Sequence, residues 1–150
     1  MQALETKLGY TFRRPALLEN ALYHSSYANE HRAGGITSNE RLEFLGDAVL
    51  GFVTAGYLFH KDRGPEGELT KLRAALVCEK ALHSYSLQLG LGDFLLLGRG
   101  ERNTGGAERP SILADAFEAV TAAIYLDGGL EAARTFRITD RYSSMGWPVR

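Results

Sequence analysis

The chain has 150 residues, 45% of them hydrophobic, and a formal net charge of −1 at neutral pH. That describes one ordinary globular domain, large enough to bury a real core, with a charge that neither demands nor forbids a nucleic-acid partner. The single cysteine, Cys78, excludes an intramolecular disulfide and offers no metal-ligand spacing, so a reducing, cytoplasmic setting is expected.

In chain order, "ALETKL" reads as a helix ended by Gly9, and Pro15 suits the first turn of a second with an apolar stripe of Leu17, Leu18, Ala21 and Leu22. "HSSYANEHRAGGIT" reads as a polar loop. Thr37 and Glu40 have the spacing of a capping box, opening a long apolar helix that runs to "KDRGPEGE". "LTKLRAALVCEKALHSYSLQL" predicts two helices, or one kinked helix, ending at Gly90. "GRGERNTGGAERP" reads as a Gly-rich connector, "SILADAFEAVTAAIYLDGG" as a helix starting beside Pro110 and stopping at Gly128-Gly129, and "LEAARTF" as the last helix. No alternating strand and no internal repeat is visible, so the fold class is all-α. Residues 1–25 hold no uninterrupted apolar run, and later apolar stretches are broken by Gly, Asp or Glu, which argues against a signal peptide or a membrane span.

Two of these helices carry acids where their composition predicts burial. At about 100° per residue, Glu40, Glu43 and Asp47 fall within roughly 60° of one another, while Leu42, Phe44, Leu45, Ala48, Val49, Phe52 and Val53 occupy the rest of the wheel. Acids on a helix usually mark a solvated edge, and the capping box already accounts for Glu40. Asp115 and Glu118 repeat the pattern three residues apart on the second apolar helix, beyond its first turn. If the two helices pack together, four like charges meet, and either some protonate or a cation sits among them. An all-oxygen set without His or Cys suits Mg²⁺ or Mn²⁺ and disfavours Zn²⁺. A helical di-iron site would need Glu-x-x-His pairs, which the sequence lacks.

The segment "NERLEFLGDAVLG" closely resembles the signature motif of the ribonuclease III family, and "PEGELTKLRAALV" and "GRGERNTGGAERPSILADAFEAVTAAIYLDGG" resemble its further segments in the same order. The resemblance spans about residues 4–136. It implies a helical endonuclease domain that acts as a homodimer on double-stranded RNA in rRNA or mRNA processing. The implied products carry 5′-phosphate and 3′-hydroxyl ends, and the implied cofactor is Mg²⁺, with Mn²⁺ able to substitute. By position, Glu43, Asp47, Asp115 and Glu118 match the family's metal-binding carboxylates, with Asp47 and Glu118 in the catalytic role. Glu40 and Glu66 match further acids of the catalytic valley, beside their plainer readings as a capping residue and a loop acid. Phe44 matches an aromatic that inserts into the partner subunit. The alternative from another class is a non-catalytic RNA-binding or scaffolding relative, which has no need of four acids on two apolar helices.

Lys71, Arg73, Arg99, Arg102 and Arg109 lie in segments that could line an RNA surface. His24, His31, His60 and His83 share no ligand spacing and read as surface or packing residues. Bacterial members of the family usually carry a double-stranded-RNA-binding domain after the nuclease domain, for which this chain has no room. "RITDRYSSMGWPVR" departs from the family's usual ending, so a nuclease domain at 1–137 and an atypical tail at 138–150 are expected.

Overall fold

The turn signals divide the chain into helices: α1 (Gln2–Leu8), α2 (Pro15–Ala21), α3 (Ser25–Glu30), α4 (Glu40–Lys61), α5 (Glu66–Val77), α6 (Glu79–Leu89), α7 (Arg99–Asn103), α8 (Pro110–Gly128) and α9 (Leu130–Ile138). Short 3₁₀ turns lie at Arg32–Gly34, Leu91–Asp93 and Gly106–Glu108. This computed structural model describes residues 1–138, and among them there is no strand, only an isolated bridge between Tyr23 and Leu96. The boundary expected after residue 137 falls inside α9, and 139–150, the rest of the expected tail, lie outside the described residues.

The core is organised around α8. From Ile112 to Ile124 every residue except Asp115 is buried, and the alanines at 114, 116, 119, 122 and 123 let neighbouring helices approach closely. α4 packs along one side of α8 and α6 along another. The buried Ser86 of α6 donates its hydroxyl to the Leu113 carbonyl at 2.6 Å. At the far end of α8, the Asp127 carboxylate accepts the backbone N–H groups of Arg13 and Arg14, both at 2.8 Å, and the Tyr10 hydroxyl at 2.7 Å. Burial alone would raise its pKa, but these donors and Arg14 hold it below the usual carboxylate range.

Three expectations change. "HSSYANEHRAGGIT" is not a loop throughout: it contains α3, whose start is capped by the His24 ring accepting Ser26 N–H. Tyr23 stacks on Tyr27, and Tyr27 on His31 at 4.0 Å, so aromatic contacts hold a segment that lacks an apolar stripe. The connector likewise contains α7. Finally, the Thr37–Glu40 capping box does not form. α4 starts at Glu40 with Asn39 as its N-cap, and no side chain caps it from that position. Asn39 is buried because its amide donates to the Ala21 carbonyl at 2.9 Å and its backbone N–H to the Tyr23 carbonyl at 2.8 Å. Tertiary anchoring, and not a local cap, sets where α4 begins.

A very close helix contact lies at Gly46. A Cβ built there would stand 1.8 Å from the Glu118 carbonyl oxygen, a backbone atom that cannot swing aside. Only glycine permits this crossing. Gly46→Ala is therefore expected to push α4 off α8 and cost about 2 kcal/mol or more, the scale of overpacking a tight core. Denaturant unfolding measures it. A variant as stable as its parent would show that α4 can yield.

Candidate metal centre

The crossing at Gly46 sets one turn of α4 against one turn of α8. Glu43 precedes Gly46 by three residues and Asp47 follows it, while Glu118 is the residue whose carbonyl Gly46 meets and Asp115 lies a turn earlier. Carboxylate oxygens of Glu43, Asp115 and Glu118 come within 4.8 Å of one another. Asp47 joins from the exposed side through a hydrogen bond with Glu118. The structure thus brings all four predicted ligands into one cluster, with Glu118 at its buried centre. Glu40 is exposed on the first turn of α4, near enough for its charge to act on Glu43 and Asp115.

Electrostatics follow from this crowding. Burial pushes the Glu118 carboxyl up to about 9, helped by the hydrogen bond and charge of Asp47 and by the charges of Glu43 and Asp115. Burial also raises Glu43, to about 7, together with Asp115, Glu40 and Asp47. The Glu43–Asp115 hydrogen bond raises the first and opposes the rise of the second, which places the shared proton on Glu43. Asp115 is nonetheless raised, by burial first and then by Glu79 and Glu40, with His24 acting in the opposite sense. The donor set, four carboxylates with Glu118 buried among them, fits a hard divalent cation.

The other predicted residues stand apart from this cluster. Glu66, matched by position to a further acid of the valley, is not brought to the quartet within the chain. It accepts the Thr70 hydroxyl at 3.1 Å and lines a cleft with Leu58 and Phe59. From Phe59 back to Glu43 the axis of α4 rises roughly 24 Å at 1.5 Å per residue. Its place in the first turn of α5 is the ordinary one for an acid at a helix start. Lys71, Arg73 and Arg99 are exposed. Arg102 donates to the Leu95 carbonyl at 2.8 Å, and Arg109 pairs with Glu101 and reaches the Thr104 carbonyl at 3.3 Å. Those two guanidinium groups fasten the segment between the 3₁₀ turn at Leu91–Asp93 and α8 within the fold.

The raised pKa values set a pH dependence. The folded chain keeps protons on Glu43 and Glu118 that the unfolded chain releases near 4.5. The resulting stability is fully present below that pH and is lost as pH rises through about 7 and then about 9. Melting of the metal-free protein should therefore fall steadily across this window, and Glu118→Gln should remove the upper part of the slope. A flat profile for the parent would contradict the clustering.

The family model described as ribonuclease-III-like matches residues 14–142. Ribonuclease 3 of Oceanobacillus iheyensis is 53% identical over 137 residues, covering 91% of this chain and 60% of that protein. Ribonuclease 3 of Geobacillus kaustophilus is 53% identical over 136 residues, covering 90% of this chain and 55% of that protein. The chain thus spans little more than half the length of these curated relatives. A solved nuclease domain of ribonuclease III from Campylobacter jejuni, described for structural flexibility in a region involved in dimer formation, superposes with a TM-score of 0.89 at 46% identity. That match covers 97% of this chain and 98% of the solved one. The chain belongs to the ribonuclease-III-like family.

Proposed function

We propose that this chain is a divalent-metal-dependent endoribonuclease domain that cuts double-stranded RNA as a homodimer. The observation that carries this reading is the convergence of Glu43, Asp47, Asp115 and Glu118 at the α4–α8 crossing, in a chain whose relatives are named Ribonuclease 3. Those four residues would hold Mg²⁺, or Mn²⁺ in its place. When bound, such an ion favours ionisation of water and offsets the negative charge that develops on a phosphate. The chain's own part is to gather the acids, bury Glu118 and hold protons on Glu118 and Glu43. Asp47, on the open side, is the carboxylate best placed to meet substrate. A-form RNA would be recognised by shape, 2′-hydroxyls and phosphates, with exposed Lys71, Arg73 and Arg99 as the basic groups free to contribute. The products would carry 5′-phosphate and 3′-hydroxyl ends.

The homodimer is supported by an apolar stripe on the outer face of α4. Phe44, Phe52 and Phe59 are 82%, 62% and 72% exposed and recur at near-heptad spacing with Ala48 and Ala55 between them. Beside Phe44 lies a cleft of about 810 Å³ lined by Leu17, Leu42, Leu45 and Leu126 among others. A two-fold axis would set each Phe44 ring into the partner's copy of this cleft, the self-complementary arrangement expected of an isologous contact.

Two experiments test the proposal. Glu118→Gln keeps size and polarity but removes a ligand charge, so cleavage of long double-stranded RNA in Mg²⁺ should fall by roughly 10³-fold or more while the fold persists. Near-parental cutting on a denaturing gel would end the metal role. Phe44→Ala should weaken the dimer by about 2–4 kcal/mol, as expected for losing a buried aromatic anchor. Sedimentation at low micromolar concentration reads this, and an undiminished dimer would return Phe44 to a surface role.

A further inference from the structure

One face of α3 carries rings where the rest of its exposed surface is polar. Tyr23, Tyr27 and His31 recur at every fourth position, the spacing that puts side chains above one another on a helix. The Tyr23 and Tyr27 rings lie 5.4 Å apart and 14° from parallel, and those of Tyr27 and His31 4.0 Å apart and 26° from parallel. The tyrosines are partly buried and His31 is exposed, so the stack runs outward from the body of the fold. Its inner end is anchored, because the Tyr23 carbonyl accepts Asn39 N–H at 2.8 Å, directly before the turn of α4 that carries Glu40 and Glu43.

The outer end is held as well. His31 Nδ1 lies 2.9 Å from the Tyr27 carbonyl oxygen, and a carbonyl can only accept, so Nδ1 carries a proton and donates it. That bond keeps the imidazole lying on Tyr27. Tyr27 covers one face of the ring, and since His31 is nonetheless exposed, the open surface is its opposite face. α3 itself cannot turn: Ser26 Oγ accepts Gly98 N–H at 2.8 Å and Glu30 accepts Arg99 N–H at 2.9 Å, which staples the helix to the start of α7. A fixed ring face is thus presented to solvent with little left to order on binding.

The surroundings say what such a face can take. Asn29, Ala33, Gly34 and Gly35 are exposed beside it and none is a large apolar residue, so this face lacks the apolar core on which a protein interface is built. Cations stand there instead. Arg32 follows His31 and is steadied by Asn29 Oδ1 at 3.3 Å, and Arg99 leaves the chain where Glu30 grips its N–H, both with exposed side chains. A flat aromatic face beside guanidinium groups is the arrangement that holds a nucleotide, ring on ring and cation on phosphate. Inside a duplex both faces of a base are covered by its neighbours, so only an unpaired base has a face to offer. We propose that the Tyr23–Tyr27–His31 stack is a platform for an unpaired nucleobase of RNA, which extends the stack on the open face of His31. The chain then favours RNA whose pairing ends or is interrupted close to the cut. That consequence rests on the endoribonuclease reading given above; the stacking itself does not.

The test uses the metal-free protein and two kinds of probe. The first is a single-stranded RNA trinucleotide with 2-aminopurine at its centre, whose fluorescence is quenched on stacking. The parent should quench it, and the His31 ring-proton signals should shift while those of His60 and His83 stay in place. His31→Ala should abolish the quenching, and His31→Phe, which keeps a flat ring, should retain it. Unmoved His31 signals, or equal quenching by His31→Ala, overturn the platform. The second probe is a blunt RNA duplex, set against the same duplex with one unpaired 2-aminopurine nucleotide at its 3′ or its 5′ end. The parent should bind one of the extended duplexes about 10-fold more tightly than the blunt one, the scale of one base stacked on an aromatic ring. His31→Ala should lose that margin and hold the blunt duplex as before. No margin in the parent, or an equal loss for all three duplexes, overturns the preference. Should His31→Ala fail to melt cooperatively, the parent's ring signals and His31→Phe decide alone. A parent that binds no duplex ends the endoribonuclease reading instead, and the trinucleotide still decides the stack.

Discussion

The approach of Gly46 to the Glu118 carbonyl is the contact on which the rest depends. With any larger residue the helix axes would separate by an ångström or more, and the acids on each helix would face a gap filled by water. With glycine, Glu43 and Asp47 are carried onto Asp115 and Glu118 by helices whose other faces are packed into the core. Precision here comes from rigid elements: no member of the quartet sits on a loop, and α8 is buried almost throughout its middle.

That rigidity has an electrostatic cost. Glu118 and Glu43 respond by holding protons at pH values where free carboxylates have none. A solvated edge of acids would behave differently, since each would ionise independently and leave its neighbours nearly unmoved. The distinction separates a site from a decorated surface. It also explains why the surrounding fold is so heavily tied: Asn39 anchors the start of α4, Ser86 pins α6 to α8, and Asp127 locks the N-terminal segment to the end of α8.

Sequence legibility followed the range of the interactions. α4 and α8 were readable because their apolar periodicity and flanking Gly and Pro are local, and the quartet was readable because its acids contradict that local pattern. α3 was hidden, since it has no apolar stripe and is held by ring stacking between Tyr23, Tyr27 and His31. The capping box misled for a related reason: Thr37 and Glu40 have the right spacing, but Asn39 is claimed by Ala21 and Tyr23. Glu66 was matched by family position, yet it lies near the opposite end of α4 from the quartet.

The composition of α4 still needs an account. It is long and apolar enough to cross a membrane by length and hydropathy, yet only 44% of its most apolar window is buried within the protein. An acidic first turn and three outward phenylalanines resolve the apparent contradiction. One face packs on α8, the first turns carry the acids, and the remaining stripe of Phe44, Phe52 and Phe59 is open. Phe44 directly follows Glu43, so the proposed interface and the proposed metal centre share one turn of one helix. If two chains meet along this stripe, the separation of their quartets is set by which ring enters which cleft, with no flexible segment between. A helix of this kind has little freedom to change one role without the other, since rotating it to bury Phe44 would swing Glu43 away from Asp115. The exposed ring is therefore as much a part of the site's geometry as the glycine behind it.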